Sequence, residues 1–247
     1  MVTGVAFRTY RFDKKLNVQL ISIAHQYMLL NPKYKTTSEQ DIKYYFLRMI
    51  TKVTCQCSSK ILALSFRDMP GSIEKNLVVV PPLLRQEVFE NEPSDGDYIH
   101  GYMINTGYYE EVLDWHTKNP HIPLRFFWDK KDADEVTVID ENLILYRIDD
   151  DLFLKSMAGS MAYSTTSGFE SVCEALYYKK PILMIPVHVE QEFNAYDASL
   201  SGAGISSTKF KLNKLLNFIP HYRPDENFRD WVHQAEERFI REICGTN

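Results

Sequence analysis

Residues 164–205 read STTSGFESVCEALYYKKPILMIPVHVEQEFNAYDASLSGAGI, and this stretch decides the fold. The apolar run entering it, 161–165, has the length of a buried strand. It meets a small-residue turn, Thr166, Ser167 and Gly168, that opens directly onto a helical pattern over 169–178. Lys180-Pro181 ends that helix, 182–187 is the next strand, and 190–200 the next helix. Short apolar strands alternating with helices predict a parallel sheet covered on both faces, with ligands binding beyond the carboxyl ends of the strands. There the unpaired N–H groups of the first helix converge, which is the geometry of an anion cradle. Ser171 falls in that helix's first turn and Glu174 three residues on, on the same face, so a hydroxyl can meet a phosphate while a carboxylate accepts from vicinal ribose hydroxyls. Glu190, Gln191 and Asn194 open the next helix at the same sheet edge, where polar side chains can hold sugar hydroxyls. Taken alone, Glu174 also reads as an exposed helix glutamate and Ser171 as a capping residue.

Working outward, the alternation continues backward to a strand over 98–104, with helix 108–118, strands 124–128 and 143–148 and helix 152–158 between, and forward to a last helix over 225–243. The segment ENEPSDGD at 90–97 has linker composition, and the reading is therefore two domains, 1–95 and 96–247. The first supplies strands near 17–23, 61–66 and 77–80 and one amphipathic helix over 39–53, behind Thr37 and Ser38. In that helix Ile42, Tyr45, Phe46, Met49, Ile50 and Val53 recur at helical spacing. That is little for a self-sufficient α/β domain, and it reads as an incomplete one, leaving apolar faces of 17–23 and 77–80 partly uncovered. No G-x-G-x-x-G occurs.

The chain has 247 residues, 45% hydrophobic and 25% charged, which excludes intrinsic disorder. Its net charge of −5 offers no basic footprint for DNA or RNA. No run approaches the length of a membrane span, and residues 1–30 carry charges where a signal peptide needs its apolar core, so the expectation is a soluble cytoplasmic chain. Cys55, Cys57, Cys173 and Cys244 lack metal spacing and read as reduced thiols. Asp149-Asp150-Asp151 imitates a metal-binding D-x-D motif but stands between a strand and an apolar-periodic helix, where carboxylates cap.

The motif string resembles the donor signature of nucleotide-sugar transferases of the GT-B fold, roughly H-C-G-W-N-S-x-x-E, then G-x-P, a strand, P, and [DE]-Q-x-x-N. Gly168, Ser171 and Glu174 match, and Lys180-Pro181, Pro186, Glu190-Gln191 and Asn194-Ala195 follow in order. The string is also similar to the peptidoglycan N-acetylglucosaminyl transferase pattern, and to small bacterial and archaeal transferases with G-A-G-F-E-x-x-x-E-A-L. The resemblance covers about 97–205. A fainter echo lies in Ser22 to Gln26 (SIAHQ), followed by a P-P-x-x-R-like segment at Pro81 to Arg85.

The resemblance implies a Rossmann-like parallel-sheet donor domain after an incomplete N-terminal acceptor-side α/β domain, with the last helix crossing back to the first. It implies transfer of a hexosyl or N-acetylhexosaminyl group from a nucleotide-diphosphate sugar, UDP-linked for preference, without a tightly bound cofactor or metal, to a lipid or saccharide acceptor. Glu174 would bind the ribose, Thr166, Ser167, Gly168 and Ser171 the diphosphate, and Glu190, Gln191 and Asn194 the sugar. Thr106, in the turn Asn105 to Gly107, would touch the diphosphate from the other side, Ile148 would meet the base, and His25 would contact the acceptor or move a proton. Thr166 stands where plant enzymes carry a histidine, and Lys180 where glycine is common before the proline. Two other readings stand beside this one: a UDP-N-acetylglucosamine 2-epimerase, whose T-D-S-G-G-x-x-E-E loop is similar to 165–174, and a donor-binding module that needs a partner chain. Peripheral membrane contact and a homodimer complete the expectations.

Overall fold

Short runs of β-branched and aliphatic residues form the strands of two separate parallel sheets. The computed structural model describes residues 19–34, 42–103, 106–130 and 132–245. The chain divides into two compact units, Met1–Leu83 together with Arg229–Asn247, and Leu84–Phe228. The sequence reading places the boundary near 95. The division lies earlier because Arg85 and Ser94 are bonded into the second unit, to Glu174 and Lys180.

In the first unit β1 (Ile21–Ala24), β2 (Lys60–Leu64) and β3 (Leu77–Val80) pair in that order, all parallel. The expected strand over 17–23 is thus seen from Ile21 to Ala24, and residues 17 and 18 lie outside the described residues. A 3-10 helix, His25–Leu30, follows β1, and α1 (Ile42–Thr54) precedes β2. Thr37 and Ser38, proposed ahead of that helix, also lie outside the described residues.

The expectation of partly uncovered faces is reversed for β3, where Leu77, Val79 and Val80 are buried, whereas Ile23 of β1 is exposed. The apolar stripe of α1 faces outward while Tyr44, Leu47 and Thr51 face the core.

The second unit holds α2 (Gln86–Glu90), β4 (Ile99–Met103), α3 (Tyr109–Lys118), β5 (Leu124–Trp128), β6 (Val136–Val138) and β7 (Leu143–Arg147). There follow α4 (Asp150–Ala158), β8 (Ala162–Thr165), α5 (Phe169–Tyr177), β9 (Ile182–Met184), α6 (Val189–Leu200), β10 (Gly204–Ser206) and α7 (Leu212–Phe218). Sheet order is β10-β9-β8-β4-β5-β7-β6, parallel except for the short edge strand β6. From β4 the chain moves outward to β5 and β7, then returns to β8 on the other side of β4. The switch point therefore lies between β4 and β8.

One face of the sheet is filled by Ile99, Phe126, Leu145, Leu183 and the helices over them. The other holds His100, Phe127, Phe153 and Tyr163 in ring contact. Gly101 sits mid-strand where a Cβ would lie 2.3 Å from the Phe126 ring, so only glycine lets that ring close on the sheet. Asp149 caps α4, its carboxylate accepting from the Leu152 N–H at 2.9 Å. Among the described residues no group of three His, Cys, Asp or Glu side chains could hold a metal, and no helix is long and apolar enough to cross a membrane.

The expected single helix over 225–243 is two helices, α8 (Phe228–His233) and α9 (Ala235–Cys244), meeting at Gln234. Trp231 donates its indole N–H to the Ser65 carbonyl at 2.9 Å, and Ala235 and Phe239 pack on Leu62 and Val80. The end of the chain thus covers the three-stranded sheet. Ile243, one turn beyond Phe239, is exposed.

Candidate functional site

The site grows from the turn after β8. Four consecutive small polar residues, Ser164 to Ser167, are buried, and among the described residues the hydroxyls of Ser164, Thr166 and Ser167 have no hydrogen-bond partner. Polar atoms this deep cost stability unless something bonds them. Ser167 adopts the left-handed conformation, φ 67°, which non-glycine residues hold at a cost and which turns the chain into α5.

Gly168 is the N-cap of α5 at φ −63° and ψ 136°, a conformation open to any residue. A Cβ there would meet only Ser171 Oγ, at 3.6 Å. Neither backbone strain nor packing calls for glycine here; what its missing side chain does is leave the first turn's N–H groups approachable. Ser171 Oγ donates to the Gly168 carbonyl at 3.3 Å and closes that turn.

Two elements hold the turn from behind. Asn194 Nδ2, on α6, donates to the Ser167 carbonyl at 3.1 Å. Gln191 Oε1 accepts from the Val187 N–H at 2.8 Å, reaching back over the start of α6 as a capping side chain does. Both side chains are buried, whereas Glu190 beside them is exposed. Of the three α6 residues named for sugar contact, two thus shape the cradle and one faces outward.

Glu174 is not an exposed helix glutamate. It is 4% exposed, and its Oε1 accepts from Arg85 Nε at 2.8 Å, while Arg85 Nη1 donates to the exposed Asp150 carboxylate at 2.9 Å. Burial pushes the Glu174 carboxyl up and the Arg85 guanidinium pulls it back. Arg85, which sequence reasoning leaves without a role, thus ties Glu174 to Asp150. Its signal was the P-P-x-x-R-like segment, and its partner lies 89 residues away. Lys180 was also underread: its buried Nζ donates to the Ser94 and Ser160 carbonyls, both at 2.7 Å, and desolvation lowers its pKa. Lys179 before it takes the left-handed position that glycine often fills after a helix, φ 58°.

The turn after β4 neighbours the β8 turn, because Tyr102 is in register with Thr165. Asn105 lies outside the described residues, as does the side chain of Thr106, whose backbone opens the 3-10 helix Thr106–Tyr108. Ile148 is exposed after β7. His25 belongs to the first unit, where it is buried and its Nδ1 donates to the Leu64 carbonyl at 2.8 Å. The second unit therefore brings together Thr166, Ser167, Gly168, Ser171, Glu174, Gln191 and Asn194 around one helix start.

Residues 1–222 match the family described as glycosyl transferase family 1. The chain belongs to glycosyl transferase family 1. Among solved structures, the glycotransferase of kitacinnamycin aligns with a TM-score of 0.58 at 13% identity, over 95% of this chain and 69% of that one. Arabidopsis thaliana UGT89C1 complexed with UDP-L-rhamnose gives 0.60 at 14% identity, over 95% and 67%. LpCGTa in complex with UDP gives 0.53 at 10% identity, over 94% and 68%. At such identities the likeness shows the fold, which is GT-B, and this member of glycosyl transferase family 1 spans about two thirds of each of those chains. A search of curated proteins found no match. Membership of the family favours a transferase over an epimerase.

Proposed function

We propose that this chain binds the nucleotide-diphosphate sugar donor of a glycosyl transfer at the turn between β8 and α5, with UDP as the nucleotide. The observation that carries the reading is the turn itself: buried hydroxyls without partners among the described residues, beside a helix start whose N-cap glycine serves neither backbone nor packing. The diphosphate would lie on the first turn of α5, where N–H groups, the helix dipole and the hydroxyls of Thr166, Ser167 and Ser171 meet negative charge. As the bond from the anomeric carbon to the diphosphate breaks, charge accumulates on the leaving oxygen, and donors fixed in advance stabilise it without reorganisation. Glu174, held by Arg85, would accept from the ribose hydroxyls with its second oxygen. Glu190, exposed at the start of α6, would offer its carboxylate to the sugar, while Asn194 and Gln191 keep the turn in place. Thr106 and Ile148 would flank the donor from the neighbouring strand ends. The bound species in UGT89C1 and LpCGTa, UDP-L-rhamnose and UDP, support the choice of nucleotide. The acceptor side would belong to the first unit, with His25 as a candidate for proton transfer.

Calorimetric titration with UDP, GDP, dTDP and UDP-sugars, with and without EDTA, is the test. UDP-linked ligands should bind in both conditions, and Glu174→Ala should lose about 1.5–3 kcal/mol of affinity. Binding that survives Glu174→Ala unchanged would remove that residue from the site, and binding that needs added metal would reinstate the aspartate run.

A further inference from the structure

The helix α1, IKYYFLRMITKVT, has its wider apolar face turned to solvent. Tyr44, Leu47 and Thr51 anchor it on the first unit, whereas Ile42 and Tyr45 are 68% and 65% exposed and Phe46, Met49, Ile50 and Val53 all between 44% and 50%. At 100° per residue these six share one arc, and Lys43 stands at one border with Lys52 and Arg48 at the other. All three basic side chains are exposed, and the helix has no acidic residue, in a chain whose net charge is −5.

The surface extends beyond the helix. Pro32 lines a cavity of about 110 Å³ with Tyr45 and Arg48, and a second, of about 340 Å³, with Lys33 and Ile73. The α1 border is therefore continuous with the turn 71–75. On that turn Ile73 is 96% exposed, and Lys75, its Nζ on the Leu30 carbonyl, lies close enough to Arg48 and Lys52 that their charges help lower its pKa after desolvation. Among the described residues Glu74 is the acidic group that faces Lys75. Apolar residues at the centre, cations at the rim and an isolated apolar tip form the pattern of a surface that lies in a lipid interface, with basic stems reaching back to the headgroups.

We propose that this face docks the chain on an anionic membrane surface, with α1 in the plane of the interface, Phe46, Met49, Ile50 and Ile73 in the acyl boundary and Arg48, Lys52 and Lys75 at the lipid phosphates. Charge complementarity selects this occupant over a second copy of the chain, because two such faces brought together would set Lys43, Arg48, Lys52 and Lys75 of each copy against one another, with Glu74 as the carboxylate beside them among the described residues. The inference is independent of the donor site, which lies in the other unit.

The test is flotation of the full chain with vesicles of phosphatidylcholine alone and of phosphatidylcholine mixed with phosphatidylserine. The chain should partition onto the mixed vesicles and be released by salt. Arg48→Gln with Lys52→Gln should lower partitioning about 25-fold, at the usual contribution of a basic residue near an anionic surface. Phe46→Glu with Ile50→Glu, outward-facing changes whose folding is checked by thermal melts, should abolish it. Folded protein that ignores both vesicle types, or binding that is equal for wild type and both variants, would overturn the proposal. So would light scattering that shows a dimer dissolved by Phe46→Glu, which would give the face to a second copy.

Discussion

Replacing Gly168 by alanine separates ligand binding from folding at the N-cap of α5. The backbone at Gly168 already has φ −63° and ψ 136°, and the added methyl would meet Ser171 Oγ at 3.6 Å, an ordinary contact. Two small folding terms oppose each other: alanine restricts the unfolded chain, worth about 0.4–1 kcal/mol, and is a poorer N-cap than glycine by a similar amount. Their sum should stay within about 0.5 kcal/mol, a melting shift of no more than about 2 °C. Binding is a different matter. A phosphate oxygen must come within about 2.9 Å of the helix N–H groups, and a methyl group at the N-cap stands in its approach. Losing one charge-assisted hydrogen bond costs about 1.5–3 kcal/mol, roughly a 10- to 100-fold rise in Kd for UDP. Calorimetry with UDP alongside thermal melts reads both quantities on the same sample. A variant that melts like wild type and binds UDP equally well would refute the reasoning, because the glycine would then have no role in folding or in binding.

Arg85→Met should weaken UDP binding five- to tenfold and make it fall more steeply with decreasing pH than in wild type, since Glu174 then lacks its partner while burial, Glu170 and Asp150 all push its pKa up; binding titrations of both proteins across a pH series decide this. Lys180→Met leaves the Ser94 and Ser160 carbonyls without their donor and should destabilise the second unit by about 2 kcal/mol in urea unfolding, with no loss of that size if water takes over both bonds. His100 is fully buried, and desolvation first, then Arg125, pushes its pKa down to about 3, so the folded chain refuses a proton that the unfolded chain accepts below about 6.5. Stability should therefore be complete above pH 6.5 and fall below it. At pH 5 about 2 kcal/mol should be lost that His100→Gln does not lose, and parallel acid curves for the two proteins would contradict this.

The second unit was largely legible because its strands are short apolar runs closed by Gly, Pro and small polar residues, a local signal. The turn Thr166 to Gly168 and the face shared by Ser171 and Glu174 were legible for the same reason. What escaped depended on distant partners. Periodicity showed that α1 is amphipathic but not which side meets the core, and the narrower face of Tyr44, Leu47 and Thr51 proved to be the buried one. Arg85 and Lys180 act on groups up to 89 residues away, which no spacing rule reaches. Gln191 and Asn194 fitted a pattern of sugar ligands, yet their side chains are bonded to the Val187 N–H and the Ser167 carbonyl, a distinction that only packing reveals. The break at Gln234 left no glycine or proline to announce it.

The most direct measurement is hydrogen–deuterium exchange of the full chain with and without saturating UDP. Nucleotide bound at the turn should slow exchange at the end of β8, the first turn of α5 and the start of α6, with little change in the three-stranded sheet. Protection confined to the first unit, or no change at residues 165–171 while calorimetry shows the nucleotide bound, would contradict it.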